Sequence, residues 1–146
     1  MQRVFIAGIY QPSLFYSRKL TPSPGRPWES YTFFKKSNEP DLGVFSAIDV
    51  NSGKVVWQRQ VNDPMVGGAL VTAGDVVFTG HGDGRFVAYA AEDGKELWQY
   101  QSRYGVNAPP VSYMIDGVQY VAVAAGGNKL FGYKTGDEVL VFRLRM

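Results

Sequence analysis

The chain has 146 residues, no cysteine, one histidine and a formal net charge of +2. The lack of cysteine excludes a disulfide scaffold, a Cys-ligated zinc or iron–sulfur site and a cysteine nucleophile. The small net charge does not indicate nucleic-acid binding, and no apolar run approaches the roughly 18 residues of a membrane span. A chain of this length is expected to form one domain with a sizeable core.

Strand signals follow one another along the chain, while helical periodicity is nearly absent. Turn dipeptides such as Asp83-Gly84 and Asp116-Gly117 supply the positive φ that tight hairpins need. The first apolar run is interpreted as a strand and not as part of a signal peptide. The sequence therefore predicts an all-β chain of antiparallel strands, near residues 3–9, 43–50, 54–60, 69–73, 75–80, 85–90, 95–101, 110–115, 118–125 and 138–144.

One segment, residues 10–42, interrupts this pattern. It holds five of the eight prolines and shows no alternation of apolar and polar residues. Because similar strands are predicted on both sides of it, we interpret it as an insertion loop within one domain. Its aromatic residues predict that it packs on the body of the domain: Phe15, Tyr16, Trp28, Tyr31, Phe33 and Phe34.

An internal repeat organises the rest of the chain. Residues 43–58 align without gaps on residues 84–99, with seven of sixteen positions identical and a spacing of 41 residues between Trp57 and Trp98. A period near 40 residues, with four strands and a closing Trp in each unit, is typical of a β-propeller blade. We predict one complete blade at 69–101, and we interpret both tryptophans as structural residues that pack one blade on the next.

The repeated pattern, Ala47 to Trp57 and Ala88 to Trp98, resembles the tryptophan-docking motif of the quinoprotein dehydrogenases. Residues 64–78 and 119–128 are similar to further stretches of that family, and residues 131–137 are similar to the C-terminal end of its membrane glucose dehydrogenase branch. The family forms eight-bladed propellers that bind pyrroloquinoline quinone (PQQ) and calcium. The resemblance implies that residues 1–146 form about three C-terminal blades of such a propeller, which is not closed.

The same resemblance implies the function. Family members pass a hydride from a CH–OH substrate, a sugar or an alcohol, to PQQ, while an Asp acts as general base and calcium polarises the quinone. The segments with that Asp, the calcium ligands and an adjacent cysteine pair are expected upstream of this sequence. We therefore predict no catalytic and no metal-binding residue in this chain, which should be inactive alone, and a periplasmic location although the chain has no signal peptide.

Candidate binding residues come from matching the family motifs position by position. Val66 stands where many alcohol-oxidising members have Trp, which favours a sugar or polyol. The alternative at these positions is a purely conformational role in loops and turns. His81 is expected to be exposed in its glycine-rich turn. The cofactor candidates are Val66, Gly67, Gly68, Asp83 and Gln11, and the substrate candidates are Gly127 and Asn128.

A second hypothesis treats the chain as a non-catalytic propeller module that binds protein partners, and a third treats it as a truncated reading frame. Under the leading hypothesis its partners are the remaining blades, or other copies that pair through open blade edges, with a small sugar or alcohol as substrate of the complete enzyme. No nucleic-acid partner and no membrane span are expected. PQQ titration distinguishes the first two hypotheses, since a scaffold has no reason to bind it.

Overall fold

The computed structural model describes residues 2–17, 24–25, 32–36 and 38–143, and the side chains of β3 and of Ser17 are left out of the description. Within these residues the chain forms strands and one short 3-10 helix, η1. Their bounds are β1 (Arg3–Tyr10), β2 (Ser13–Ser17), β3 (Thr32–Lys36), β4 (Leu42–Asp49), β5 (Val55–Val61), β6 (Ala69–Val71), β7 (Val76–Gly80), β8 (Arg85–Ala90), β9 (Glu96–Gln101), β10 (Val111–Ile115), β11 (Val118–Ala125), η1 (Lys129–Phe131) and β12 (Glu138–Arg143).

The strands form antiparallel sheets of the orders β1-β4-β5, β6-β7-β8-β9 and β10-β11-β12, called here the first, second and third sheets. This confirms the all-β, antiparallel and unclosed fold. The second sheet has four strands and spans residues 69–101. Its hairpins form where Asp75 and Gly84 adopt the positive φ that local turn chemistry predicts.

The segment 10–42 contains regular structure that the sequence did not indicate. β2 and β3 pair as a separate two-stranded hairpin. Phe15 is 73% exposed and Tyr16 is 54% exposed, so the burial expected for these two side chains is wrong. Trp28 and Tyr31 lie outside the described residues, and the side chains of Phe33 and Phe34 in β3 are not described either.

Two cores hold the three sheets together. The first core lies between the first and second sheets, and the second core lies between the second and third sheets. β8 contributes to both, because alternate residues of a strand point to opposite faces: Val87 and Tyr89 enter the first core and Phe86 enters the second. Burial of a side chain such as Phe86 stabilises the fold by about 1.5–3 kcal/mol.

The two repeated tryptophans make different contacts. Trp57 Nε1 donates to the Ala91 carbonyl at 3.0 Å, and its ring lies on Gly94 in the turn between β8 and β9. Trp98 instead meets the ring of Phe142 on the third sheet edge-to-face, with centroids 5.0 Å apart, and remains 40% exposed. Both tryptophans thus pack one sheet against the next, but only Trp57 is anchored by a hydrogen bond to a turn.

Because neighbouring strands are antiparallel, the connections alternate between two ends of the stack. Backbone hydrogen bonds from Met65 to Gly8, from Val106 to His81 and from Gly127 to Gly105 bring the loops of one end together. We call this end the loop face. Its described residues are 11–12, 38–41, 62–68, 81–84, 102–110 and 126–137.

Candidate functional site

All residues proposed from the sequence as binding residues fall on the loop face. Gln11 follows β1, and its Nε2 donates to Asp41 Oδ2 at 3.1 Å. The others lie in three loops. Val66, Gly67 and Gly68 lie in 62–68, which connects the first and second sheets, Asp83 lies in 81–84 between β7 and β8, and Gly127 and Asn128 lie in 126–137 between β11 and β12. Antiparallel topology is therefore sufficient to collect them at one end of the molecule.

The glycine pair after Val66 allows two loops to approach closely. A Cβ atom added at Gly68 would lie 2.8 Å from Pro109 Cβ, and one added at Gly67 would lie 3.2 Å from the Asn107 carbonyl oxygen. Such contacts are tighter than ordinary packing allows, so the backbone geometry itself requires small residues here. These contacts account for both glycines through packing against the loop 102–110.

Three loops of the loop face are interlocked by backbone hydrogen bonds. The Gly105 N–H donates to the Lys134 carbonyl at 3.0 Å, and the Gly127 N–H donates to the Gly105 carbonyl at 2.8 Å. On the other side, the Val106 N–H donates to the His81 carbonyl at 3.0 Å. The loop 102–110 is therefore held between 81–84 and 126–137, so that Asp83 and Asn128 belong to one connected assembly.

Tyr133 crosses this assembly and was missed by the sequence analysis. It is buried, and its ring lies so close to Gly82 that a methyl group there would overlap it. Its hydroxyl donates to the Pro64 carbonyl at 2.5 Å. Burial, followed by the charges of Asp63, Asp41 and Asp83, raises the pKa of Tyr133 to about 12. Tyr133 therefore stays a neutral donor at physiological pH.

Asn128 uses part of its side chain to start η1. Its carboxamide oxygen accepts a hydrogen bond from the Leu130 N–H at 3.0 Å, as the first residue of a helix commonly does. This leaves its NH2 group, a donor without acid–base chemistry, as the part that can bind a ligand. The cap also explains why Asn suits this position: the short side chain reaches the backbone of η1.

Asp83 is paired with Arg85. Its Oδ2 lies 2.8 Å from Arg85 Nε, and its Oδ1 accepts from the Arg85 N–H at 3.0 Å. Burial raises the pKa of Asp83, but the hydrogen bonds and the charge of Arg85 together lower it below its ordinary value. Asp83 is thus an ionised carboxylate with both oxygens engaged, which makes it a poor proton acceptor.

Asp63 has the opposite electrostatic environment. Burial, and then the neighbouring charge of Asp83, raises the pKa of this carboxyl above its ordinary value. Asp63 is not among the binding residues predicted from the sequence. The signal that could have found it is its position at the start of the loop 62–68, beside the Pro64–Val66 stretch.

His81 contradicts the expectation of an exposed turn residue. It is only 2% exposed, and its Nε2 lies 3.2 Å from the Tyr89 hydroxyl. Burial, followed by the charge of Arg85, lowers the pKa of His81 to about 4. The loop 102–110 covers this turn through the hydrogen bond from Val106, and this long-range contact buries an imidazole that local sequence places at the surface.

Asn107 carries an unsatisfied side chain. Its Nδ2 and Oδ1 are both buried, and neither has a hydrogen-bond partner within the described structure. Burying a polar group without a partner typically costs about 1–3 kcal/mol. Counted by the repeat of 41 residues between Trp57 and Trp98, Asn107 is the counterpart of Val66 in the next repeat. The repeat spacing is the sequence signal that could have identified it.

Two concave regions lie between neighbouring sheets, and the first of them reaches the loop face at Asn62. A cleft of about 270 Å³ between the first and second sheets is lined by Arg59, Arg85, Tyr89 and Glu96, among others. An apolar groove of about 880 Å³ between the second and third sheets includes Trp98. Neither contains a residue predicted as a binding residue.

Two features are absent from the described residues. No group of three or more His, Cys, Asp or Glu side chains within them could hold a metal ion. Among the helices described, none is long and apolar enough to cross a membrane.

Comparison with known proteins identifies the family. Residues 23–121 match the family model described as "PQQ: Glucose/ethanol/alcohol dehydrogenase, beta-propeller domain". The chain belongs to this family. This confirms the resemblance to the quinoprotein dehydrogenases that the sequence indicated.

Both alcohol and glucose dehydrogenases are among its bacterial relatives. The chain is 45% identical over 92 residues to a quinoprotein ethanol dehydrogenase of Pseudomonas aeruginosa, a match that covers 63% of this chain and 15% of the relative. It is 32% identical over 126 residues to the quinoprotein glucose dehydrogenase of Escherichia coli, covering 73% of this chain and 16% of the relative. The chain therefore spans less than a fifth of the length of these relatives.

The fold matches a solved member of the family. The crystal structure of quinohemoprotein alcohol dehydrogenase from Comamonas testosteroni superimposes with a TM-score of 0.80 and 32% identity, covering 97% of this chain and 24% of that one. A europium-containing methanol dehydrogenase gives a TM-score of 0.68 with 29% identity, over 86% of this chain and 22% of the other. The stacked sheets thus correspond to part of a quinoprotein propeller.

Proposed function

We propose that residues 1–146 contribute C-terminal blades to a periplasmic PQQ-dependent dehydrogenase that oxidises a CH–OH group of an alcohol or a sugar. In this proposal residues 69–101 are one complete blade and residues 10–42 are an insertion. The observation that carries it is the superposition of nearly the whole chain, 97%, on a quinohemoprotein alcohol dehydrogenase. The remaining blades are its partners and supply the rest of the active site, including calcium and its ligands.

The loop face offers groups that suit PQQ, a planar quinone rich in carbonyl and carboxylate acceptors. The Asn107 carboxamide is buried without a partner, and the Asn128 NH2 group is a donor that the cap of η1 does not use. Both would hold polar edges of a ligand at this end. When bound, PQQ supplies the hydride acceptor that no side chain of this composition provides.

The chain's own residues would bind and orient rather than transfer protons. Asp83 keeps a negative charge, but Arg85 occupies both of its oxygens. The Asn128 side chain cannot titrate. Tyr133 stays protonated, and its ring fills the space beside Gly82 at the junction of the three interlocked loops. The general base is therefore expected from blades outside these residues.

A titration of the purified chain with PQQ, followed by tryptophan fluorescence, tests the binding part of the proposal. Saturable quenching is expected, while a protein-binding scaffold predicts none. A parallel assay with PQQ, calcium, an artificial electron acceptor and either glucose or ethanol should show no turnover. Turnover by the chain alone would contradict the proposal that the catalytic residues lie in other blades. Failure to bind PQQ would favour the hypothesis of a protein-binding scaffold.

Asn128→Ala sharpens this titration. The substitution removes the donor but also removes the cap of η1, so Asn128→Ser serves as the matched variant because Ser keeps a neutral capping oxygen and adds no charge that would repel the carboxylates of PQQ. If the NH2 group binds the ligand, both variants lose affinity for PQQ. If only the cap matters, Asn128→Ser binds as tightly as the wild type.

A further inference from the structure

One side chain joins the two loops that carry most of the candidate site. The Tyr133 hydroxyl donates to the Pro64 carbonyl at 2.5 Å, across 69 residues of sequence. On its other side, the Tyr133 N–H donates to the Asn128 carbonyl at 2.8 Å. Pro64 lies two residues before Val66. Two hydrogen bonds through Tyr133 therefore connect Asn128, on a loop of the third sheet, to the segment that enters the second sheet.

The ring of Tyr133 is held in place from two sides. It lies on Gly82, where no larger residue fits, and the ring of Phe131 stacks on it with centroids 5.8 Å apart and an interplanar angle of 21°. A side chain fixed in this way has one orientation for its hydroxyl. The spacing between the loops 62–68 and 126–137 is therefore set by a rigid element rather than by flexible contacts.

We infer that Tyr133 is a positioning residue that fixes Asn128 relative to the segment Val66–Gly68. A ligand that contacts both loops then binds to groups that are already in position. Binding therefore does not require the loops to become ordered. This inference rests on the proposed function, because it takes the loop face as the site for PQQ and its substrate. Tyr133 itself acts through Asn128 and Pro64 and contacts no reacting atom.

Tyr133→Phe tests the inference because it removes only the hydroxyl and keeps the ring on Gly82. Tyr89→Phe is the matched control: it also removes a hydroxyl from the interior, at 3.2 Å from His81 Nε2, but Tyr89 does not link the two loops. Each variant of the 146-residue chain is titrated with PQQ at a temperature well below its thermal midpoint. Hydrogen exchange of residues 62–68 and 126–137 is measured without PQQ.

Both variants should unfold at a somewhat lower temperature, since each loses one interior hydrogen bond. Only Tyr133→Phe should raise the Kd for PQQ, by about fivefold, and accelerate exchange in the two loops. Equal Kd values for Tyr133→Phe and wild type, or an equal loss in Tyr89→Phe, would reduce Tyr133 to a structural residue and overturn the inference. A wild-type chain that does not bind PQQ would instead overturn the proposed function, and the inference with it.

Discussion

Lowering the pH from 7 to 5 should destabilise the fold through His81. The folded protein holds this imidazole in its interior beside the Tyr89 hydroxyl, where burial lowers its pKa from 6.5 to about 4. Arg85 lowers the pKa further, and the charge of Asp83 opposes both effects. In the unfolded chain the imidazole regains an ordinary pKa of about 6.5.

The direction of the stability change follows from the unfolded chain binding the proton at a higher pH than the folded chain does. Between about pH 6.5 and pH 4 the unfolded chain is protonated and the folded chain is not, so the free energy of unfolding falls as the pH falls through this window. Above about pH 7 the stability from this group is fully present. The predicted loss is about 2 kcal/mol between pH 7 and 5 and about 3 kcal/mol at pH 4.

Urea denaturation at half-unit pH intervals measures this loss. His81→Gln is the matched variant because its amide can bond to the Tyr89 hydroxyl but cannot titrate, so the carboxylates contribute equally in both proteins. The difference between the two stability curves should be flat above pH 7 and change by about 2 kcal/mol down to pH 5. Parallel curves for the two proteins, or an imidazole pKa near 6.5 in the folded state by NMR, would refute the reasoning.

Three further substitutions and one control substitution test the packing by thermal unfolding. Gly82→Ala should lower the free energy of unfolding by about 1–3 kcal/mol because its methyl group overlaps the Tyr133 ring. Gly126→Ala is the control and should be tolerated, since a Cβ there meets nothing closer than 3.8 Å. Equal losses of stability in the two variants would contradict the overlap. Trp57→Phe loses an indole hydrogen bond and should lower stability by at least about 1 kcal/mol. Asn107→Leu removes two unpaired buried atoms and should raise the midpoint by about 2–4 °C, so a lower midpoint would reveal an existing partner.

The strands and sheets could be predicted because their signals are local. Alternating apolar residues, turn dipeptides such as Asp83-Gly84 and the 41-residue spacing from Trp57 to Trp98 each act over a few residues or one repeat. The pairing of β8 with β9 follows from them directly. The family resemblance added the candidate residues, and antiparallel topology placed them on one face.

The missed features depend on contacts between distant parts of the chain. His81 is covered by a loop that begins about twenty residues later, and Tyr133 finds its partner 69 residues earlier. Trp57 and Trp98 occupy equivalent positions in the repeat, yet only the first meets a turn of the next sheet. The sequence pattern of one sheet does not indicate which residues of the neighbouring sheet it will contact. These contacts can therefore be identified only in the folded structure.

The place of β8 in both cores has a consequence for how the chain opens. Each outer sheet contacts one neighbour, whereas the second sheet is covered on both faces. Stability in stacked repeats is passed between nearest neighbours, so the outer sheets open at lower free energy than the middle one. We therefore expect the amide protons of β7 and β8 to be the last to exchange with solvent, because order should be lost from the two outer sheets before the middle one.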